Sequence, residues 1–187
     1  MRATMKLLST AAAVAAMATL GAGAGLAADS QSAEIEITGE QDETCTLGTF
    51  SDSGQTNTSF AANTVTIDDP GGDDALLDAF AITLTAAAMC NFSSHDVGLE
   101  SQNDGLTGPG AVPGFSHIID YTATATFGVA PSITTDQGSS PGRSDSDTNA
   151  DPTVGDLVVT IVNVTTGGAP LIAGTYEDIL TVEIGNI

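Results

Sequence analysis

The stretch HIIDYTATATF, residues 117–127, sets Ile119, Tyr121, Ala123, Ala125 and Phe127 on one side of an extended chain. Asp120 and the threonines 122, 124 and 126 fall on the other. Successive side chains of a strand point to opposite faces, so strict period two of this kind predicts a half-buried β-strand. Similar runs lie on both sides of it. TVTI (64–67) and DAFAITLT (78–85) are rich in β-formers and are separated by the acidic turn DDPGGDD (68–74). HDVGLES (95–101) alternates and runs into the turn QNDG, and GDLVVTIVNVTT (155–166) is apolar on both faces, as a central strand is. AGTYEDILTVEIGNI (173–187) places Tyr176, Leu180, Val182 and Ile184 on one side. AITLTAAAM, beside Cys90, is threonine-rich and reads as strand rather than helix.

No segment carries the 3.6-residue period of a long amphipathic helix. Roughly seven strands with Gly, Pro and Asp turns predict an all-β, antiparallel β-sandwich forming one domain over residues 45–187. There is no tryptophan, so the core is not the Cys–Trp–Cys core of antibody domains. Between the strands, VAPSITTDQGSSPGRSDSDTNADPT (129–153) reads as one long, polar and acidic insertion.

Residues 1–28 read as a secretory signal. Arg2 and Lys6 precede an uncharged run from Leu7 to Leu26, and small residues close it at GLAAD, giving cleavage after Ala27 or Ala28. No later segment is long and apolar enough for a membrane-spanning helix, so an exported chain without membrane insertion is expected. Arg143 is then the sole basic residue against 24 acidic ones, a balance that nucleic acid and anionic membranes repel. The two cysteines, Cys45 and Cys90, are expected to pair outside the cytoplasm. Closing a loop of that length contributes about 4 kcal/mol.

Ahead of the first cysteine, in the extension 29–44, SAEIEIT (32–38) alternates again. Ala33, Ile35 and Ile37 share one face and Glu34 and Glu36 the other, giving a candidate strand over 33–38 with no partner strand close by. It either folds back as an edge strand of its own sandwich or adds to the sheet of another molecule. A polar linker, Gly39 to Thr44, lets it leave its own domain.

Little in the chain points to catalysis. DSDTNAD places Asp145, Asp147, Asn149 and Asp151 at alternate positions, the arrangement by which a turning loop gathers oxygen ligands for Ca²⁺. The sixth position is Ala150 rather than glycine and the twelfth is Asp156 rather than glutamate. SSHD (93–96) brings Ser, His and Asp together in sequence, but neighbours on a strand point to opposite faces and do not converge as a triad must. The expectation is a non-enzymatic protein. Asn57, Asn91 and Asn163 stand in N-glycosylation sequons that are accidental in a bacterial exported chain.

Four segments in order resemble the spore coat protein U domain family, which is related to the subunits of archaic chaperone–usher pili. They are CTLGTF (45–50), MCNFSSHDVGLESQNDGLT (89–107), GFSHIIDYTATATFG (114–128) and the closing AGTYEDILTVEI (173–184), the last being the most specific. The resemblance implies a pilin-like, immunoglobulin-like sandwich that lacks its last strand and exposes an apolar groove. It implies that SAEIEIT is the donor strand, seating Ala33, Ile35 and Ile37 in the groove of a neighbouring copy or related subunit. Tyr176, Leu180, Val182 and Ile184 would line one edge of that groove. A periplasmic chaperone and an outer-membrane usher are the implied partners, and a surface fibre or coat the implied destination. The chain departs from the family in ending EIGNI rather than on an aromatic residue, in the 129–153 insertion and in its acidity. The other function left open is a secreted, self-complete β-sandwich that binds Ca²⁺ or a glycan through the 129–153 segment.

Overall fold

β-Branched residues pack well on a pleated surface, and threonine, valine and isoleucine fill the long strands of this chain. The computed structural model describes residues 36–136, 142–164 and 168–187. It divides into two units, Met1–Gly39 and Glu40–Ile187, and every strand among the described residues lies in the second.

The larger sheet is antiparallel. At one edge, β1 (Cys45–Leu47) and β2 (Ser51–Thr56) pair with successive parts of the same side of β5 (Ala81–Cys90). Beyond β5 come β12 (Thr153–Asn163), β9 (Tyr121–Thr126) and the short β10 (Ser132–Thr134). The smaller sheet has three strands in the order β11 (Arg143–Asn149), β6 (His95–Ser101), β13 (Leu180–Gly185). Two hairpins complete the set: β3 (Thr58–Ala61) with β4 (Thr64–Ile67), and β7 (Leu106–Thr107) with β8 (Ile118–Ile119). A 3-10 turn at Gly72–Asp74 lies in the acidic turn, and there is no α-helix among the described residues.

The two sheets share one core. Ile82, Leu84, Leu157, Val159, Ala123 and Ala125 enter it from the larger sheet, and Val97 and Leu99 from the smaller. Most are under 3% exposed. β12, apolar on both faces in the sequence, is central as expected, with Val159 opposite Leu84 on one side and Ala125 on the other. The 117–127 alternation is realised in full: Ile119, Tyr121, Ala123, Ala125 and Phe127 are all buried. Cys45 and Cys90 face each other across the β1–β5 pair and form the expected disulfide.

Three expectations are corrected. The 129–153 segment is not one long loop: it contains β10 and β11, because a strand at a sheet edge takes its backbone hydrogen bonds from a neighbour and needs no apolar face. The closing strand begins only at Leu180, so Tyr176 lies before it and outside its alternation. Finally, more and shorter strands form than the sequence suggested, since polar stretches such as Ser51–Thr56 pair along β5. Among the described residues no helix is long and apolar enough to cross a membrane.

Candidate interaction groove beside the last strand

The two sheets differ in width, and this leaves part of the larger sheet's inner face without a facing strand. β13 is an edge strand, hydrogen-bonded to β6 on one side and to no strand on the other among the described residues. Beside it opens an apolar cavity of about 490 Å³. Leu180 and Val182 line it from β13, Leu84, Val159 and Ile161 from the larger sheet, and Phe60, Val65 and Ile67 from the β3–β4 hairpin. Phe50 and Phe80 add two more aromatic walls.

Burial sets this region apart from the rest of the core. Val97, Leu99, Leu157 and Val159 are 0–2% exposed, whereas Phe50, Phe60, Val65, Ile67, Leu180, Val182 and Ile184 pack against the core but are only partly buried. These partly buried side chains leave apolar surface in contact with water, and burying such surface is worth about 25 cal/mol per Å². The free side of β13 has no partner strand among the described residues, and the amide and carbonyl groups along such an edge are a template for one more strand. The opposite edge of the same sheet is guarded differently. β11 carries Arg143, Asp145 and Asp147, all exposed, and charge on an edge discourages pairing.

One end of the groove is closed by a polar knot. Asp178, just before β13, accepts hydrogen bonds at Oδ2 from Ser101 Oγ (2.6 Å) and Tyr121 Oη (2.7 Å). Its Oδ1 accepts from the backbone amides of Asn103 (2.9 Å) and Ile179 (2.8 Å). The three side chains come from β9, from β6 and from the approach to β13, so the knot ties the closing strand to both sheets. Burial, chiefly, pushes the Tyr121 phenol above its ordinary value; the neighbouring Ser101 hydroxyl opposes the shift and Asp178 adds to it.

Of the four residues expected to line one edge of a groove, Leu180 and Val182 line this cavity. Ile184 lies one step further along, in a small depression with Cys45 and Leu47. Tyr176 is elsewhere: its hydroxyl accepts from the Ile172 amide at 2.9 Å and lies 3.0 Å from the Ser116 carbonyl oxygen, with its ring over Gly108. Burial raises the Tyr176 phenol as well. Ala33 and Ile35 lie outside the described residues. Ile37 is described, belongs to no strand and is 91% exposed. Sequence reasoning missed Phe50, Phe60, Val65, Ile67, Phe80 and Leu84 as groove residues. The alternation of TVTI, with Val65 and Ile67 on one face, was the available signal.

The DSDTNAD carboxylates do not form a turning loop. Asp145, Asp147 and Asn149 sit in register along β11, opposite Leu99, Val97 and His95. Asp145 Oδ2 accepts from the Ser132 amide at 2.9 Å, and Asn149 is buried, donating to Thr153 Oγ1 at 2.7 Å. Among the described residues no group of three or more His, Cys, Asp or Glu side chains converges as a metal would need. His95 is buried, with Nδ1 3.1 Å from the Phe92 carbonyl oxygen, while Asp96 faces away and accepts from Thr148 Oγ1. The sequon asparagines hold backbone: Asn57 Nδ2 donates to Ala79 O, Asn91 Nδ2 to Asp42 O and Asn163 Nδ2 to Asp78 O. Comparison with family models, with curated proteins and with solved structures finds no match to this chain.

Proposed function

We propose that this chain is a non-enzymatic structural subunit, exported and assembled with copies of itself by donor-strand exchange into a surface fibre or coat. The observation that carries the proposal is the apolar cavity next to the unpaired edge of β13. An added strand there would gain two things at once: a row of backbone hydrogen bonds along Leu180–Gly185 and burial of every second side chain. SAEIEIT supplies that pattern, with Ala33, Ile35 and Ile37 facing inward and Glu34 and Glu36 facing water. Two isoleucines and an alanine contribute about 4–6 kcal/mol at full burial, before any backbone pairing.

The immunoglobulin-like reading agrees with the same features. A sandwich of five strand positions against three, open next to its last strand, is what an immunoglobulin-like domain without its final strand would look like. Until a neighbour's strand arrives the groove needs a temporary occupant, the role that the family resemblance gives to a periplasmic chaperone. The disulfide agrees with an oxidising compartment.

The test is a gel of the assembled protein in SDS with and without boiling. A strand held by a full ladder of hydrogen bonds and buried apolar side chains leaves slowly, so unboiled samples should give a ladder that collapses to one band on boiling. A single monomer band in both lanes would refute the proposal.

A further inference from the structure

The outer face of the larger sheet is nearly free of charge on a chain with 24 acidic residues. Among the outward side chains of β5, β12, β9 and β10 only Asp156 is a carboxylic side chain, and none is basic. The rest are Thr, Ser, Val, Ala and Met, and the strand register sets them in rows. Thr83, Thr160, Thr124 and Ser132 form one row across four strands, and Ala81, Val162, Thr122 and Thr134 form the next. The outer face of the smaller sheet differs, with Asp96, Glu100 and Glu183 along it.

Several hydroxyls of this face are satisfied within it, those of Thr85, Thr122, Thr124, Ser132 and Thr134 among them. Thr124 Oγ1 and Ser132 Oγ lie 2.9 Å apart, and Ser132 Oγ donates onward to the Ala123 carbonyl oxygen at 3.2 Å. Thr85 Oγ1 donates to Ser53 Oγ at 3.1 Å, which donates to the Thr83 carbonyl oxygen at 3.2 Å. These two chains end on backbone oxygens, so their hydroxyls can lose water without stranding a donor, and that lowers the cost of burying this part of the face. Short, branched side chains also have little rotamer freedom to lose.

We infer that this face is a second interaction surface, on which a second copy of this chain packs sheet to sheet, separate from the groove beside β13. Charge decides the occupant. Two copies this acidic repel each other through any carboxylate-bearing surface, and this face lets them approach with few carboxylates, Asp156 within the strands and Asp120 just before β9. Five strand positions at about 4.8 Å spacing and roughly 25 Å of strand give on the order of 600 Å² per partner. That falls short of the roughly 800 Å² of a standard stable interface, so the pairing is weak and depends on screening of the remaining charge. The inference does not rest on donor-strand exchange.

The test uses the mature chain carrying Ile35→Asp and Ile37→Asp, which disables the candidate donor strand, in sedimentation velocity across a concentration and salt series. The expected result is a monomer–dimer equilibrium that tightens as NaCl rises from about 0.05 to about 0.5 M. Thr160→Glu, at the centre of the face, and Thr124→Glu, one strand away, should each weaken it by at least about tenfold. Thr83→Val should leave it in place. Two positions are used so that a folding defect in one variant, seen by circular dichroism, leaves the other decisive. A monomer at every salt concentration overturns the inference, and so does a dimer indifferent to both glutamates.

Discussion

Tyr121 Oη donates a 2.7 Å hydrogen bond to Asp178 Oδ2, joining the middle of the larger sheet to the residue that leads into the last strand. The sheet edge beside β13 is useful only if β13 is held in place while its far side stays unpaired. Asp178 does the holding, because both of its oxygens are occupied by donors from β9, from the β6 side and from its own turn. Truncating the carboxylate by Asp178→Ala leaves the Tyr121 and Ser101 hydroxyls without their acceptor. A loss of about 2–4 kcal/mol in urea unfolding is expected. Tyr121→Phe removes one donor from a carboxylate with three others and should cost only about 1–2 kcal/mol. Equal effects would mean that the carboxylate does not organise the knot.

The same burial gives an alkaline signature. The chain has two tyrosines and no tryptophan, and both phenols are raised by desolvation. A raised folded-state value means that the native protein keeps its phenolic protons to higher pH than the unfolded chain does. The stability this confers is complete below the ordinary value near 10 and is lost as pH rises from there toward the folded value. Tyrosinate absorbance should therefore stay low through pH 10 and rise together with the loss of β-sheet circular dichroism. Ionisation near pH 10 in a still-folded chain would contradict this burial.

The disulfide closes a 45-residue separation and clamps β1 to the end of β5. Replacing both cysteines with alanine should destabilise the chain by about 3–4 kcal/mol in chemical denaturation. The effect on assembly should be larger than this figure suggests. β1 leads out of the extension 29–44 and starts next to β13, where a Cβ on Gly185 would stand 4.0 Å from Cys45 Sγ. Unchanged assembly in the double variant would show that this anchoring is dispensable.

A charge placed inside the groove should block assembly without unfolding the subunit. Val65 lines the cavity from a hairpin and is only half-buried. Val65→Asp should cost the isolated subunit less than about 2 kcal/mol and abolish the SDS-resistant ladder. A ladder of normal strength in this variant would place the assembly contact elsewhere.

Much of this architecture was legible because period two is a local code. Residues 95–101 and 64–67 formed strands, 117–127 formed β8 and β9 with its expected apolar face inward, and the cysteines paired. The misses share a cause: pairing is supplied by the neighbouring strand and leaves no trace in the strand being paired. RSDSDTN is poor in β-formers, yet it forms β11 because β6 offers its edge to it. Ser51–Thr56 is polar throughout and is held by β5. Tyr176 continued the alternation of the closing strand only on paper, since the strand begins at Leu180 and the chain beside Tyr176 pairs instead with Thr107. The groove was visible only in part for a related reason. Leu180 and Val182 belong to one periodic run, but Phe50, Phe60 and Phe80 come from three separate segments that only the fold assembles. Asp178 stood in the closing segment AGTYEDILTVEI, but an acid in an acidic sequence says nothing about four donors converging on it.

The central claim is that residues 33–37 of one molecule lie along β13 of another, and site-directed cross-linking tests it most directly. Two tagged versions are produced together, one carrying Ile35→Cys and the other Val182→Cys, and oxidised mildly. Donor-strand exchange predicts a disulfide-linked heterodimer bearing both tags, lost when the SAEIEIT segment is scrambled. A chain carrying both substitutions that closes only within itself, with no mixed product between the two singly substituted chains, would put the strand back in its own sheet and contradict the account.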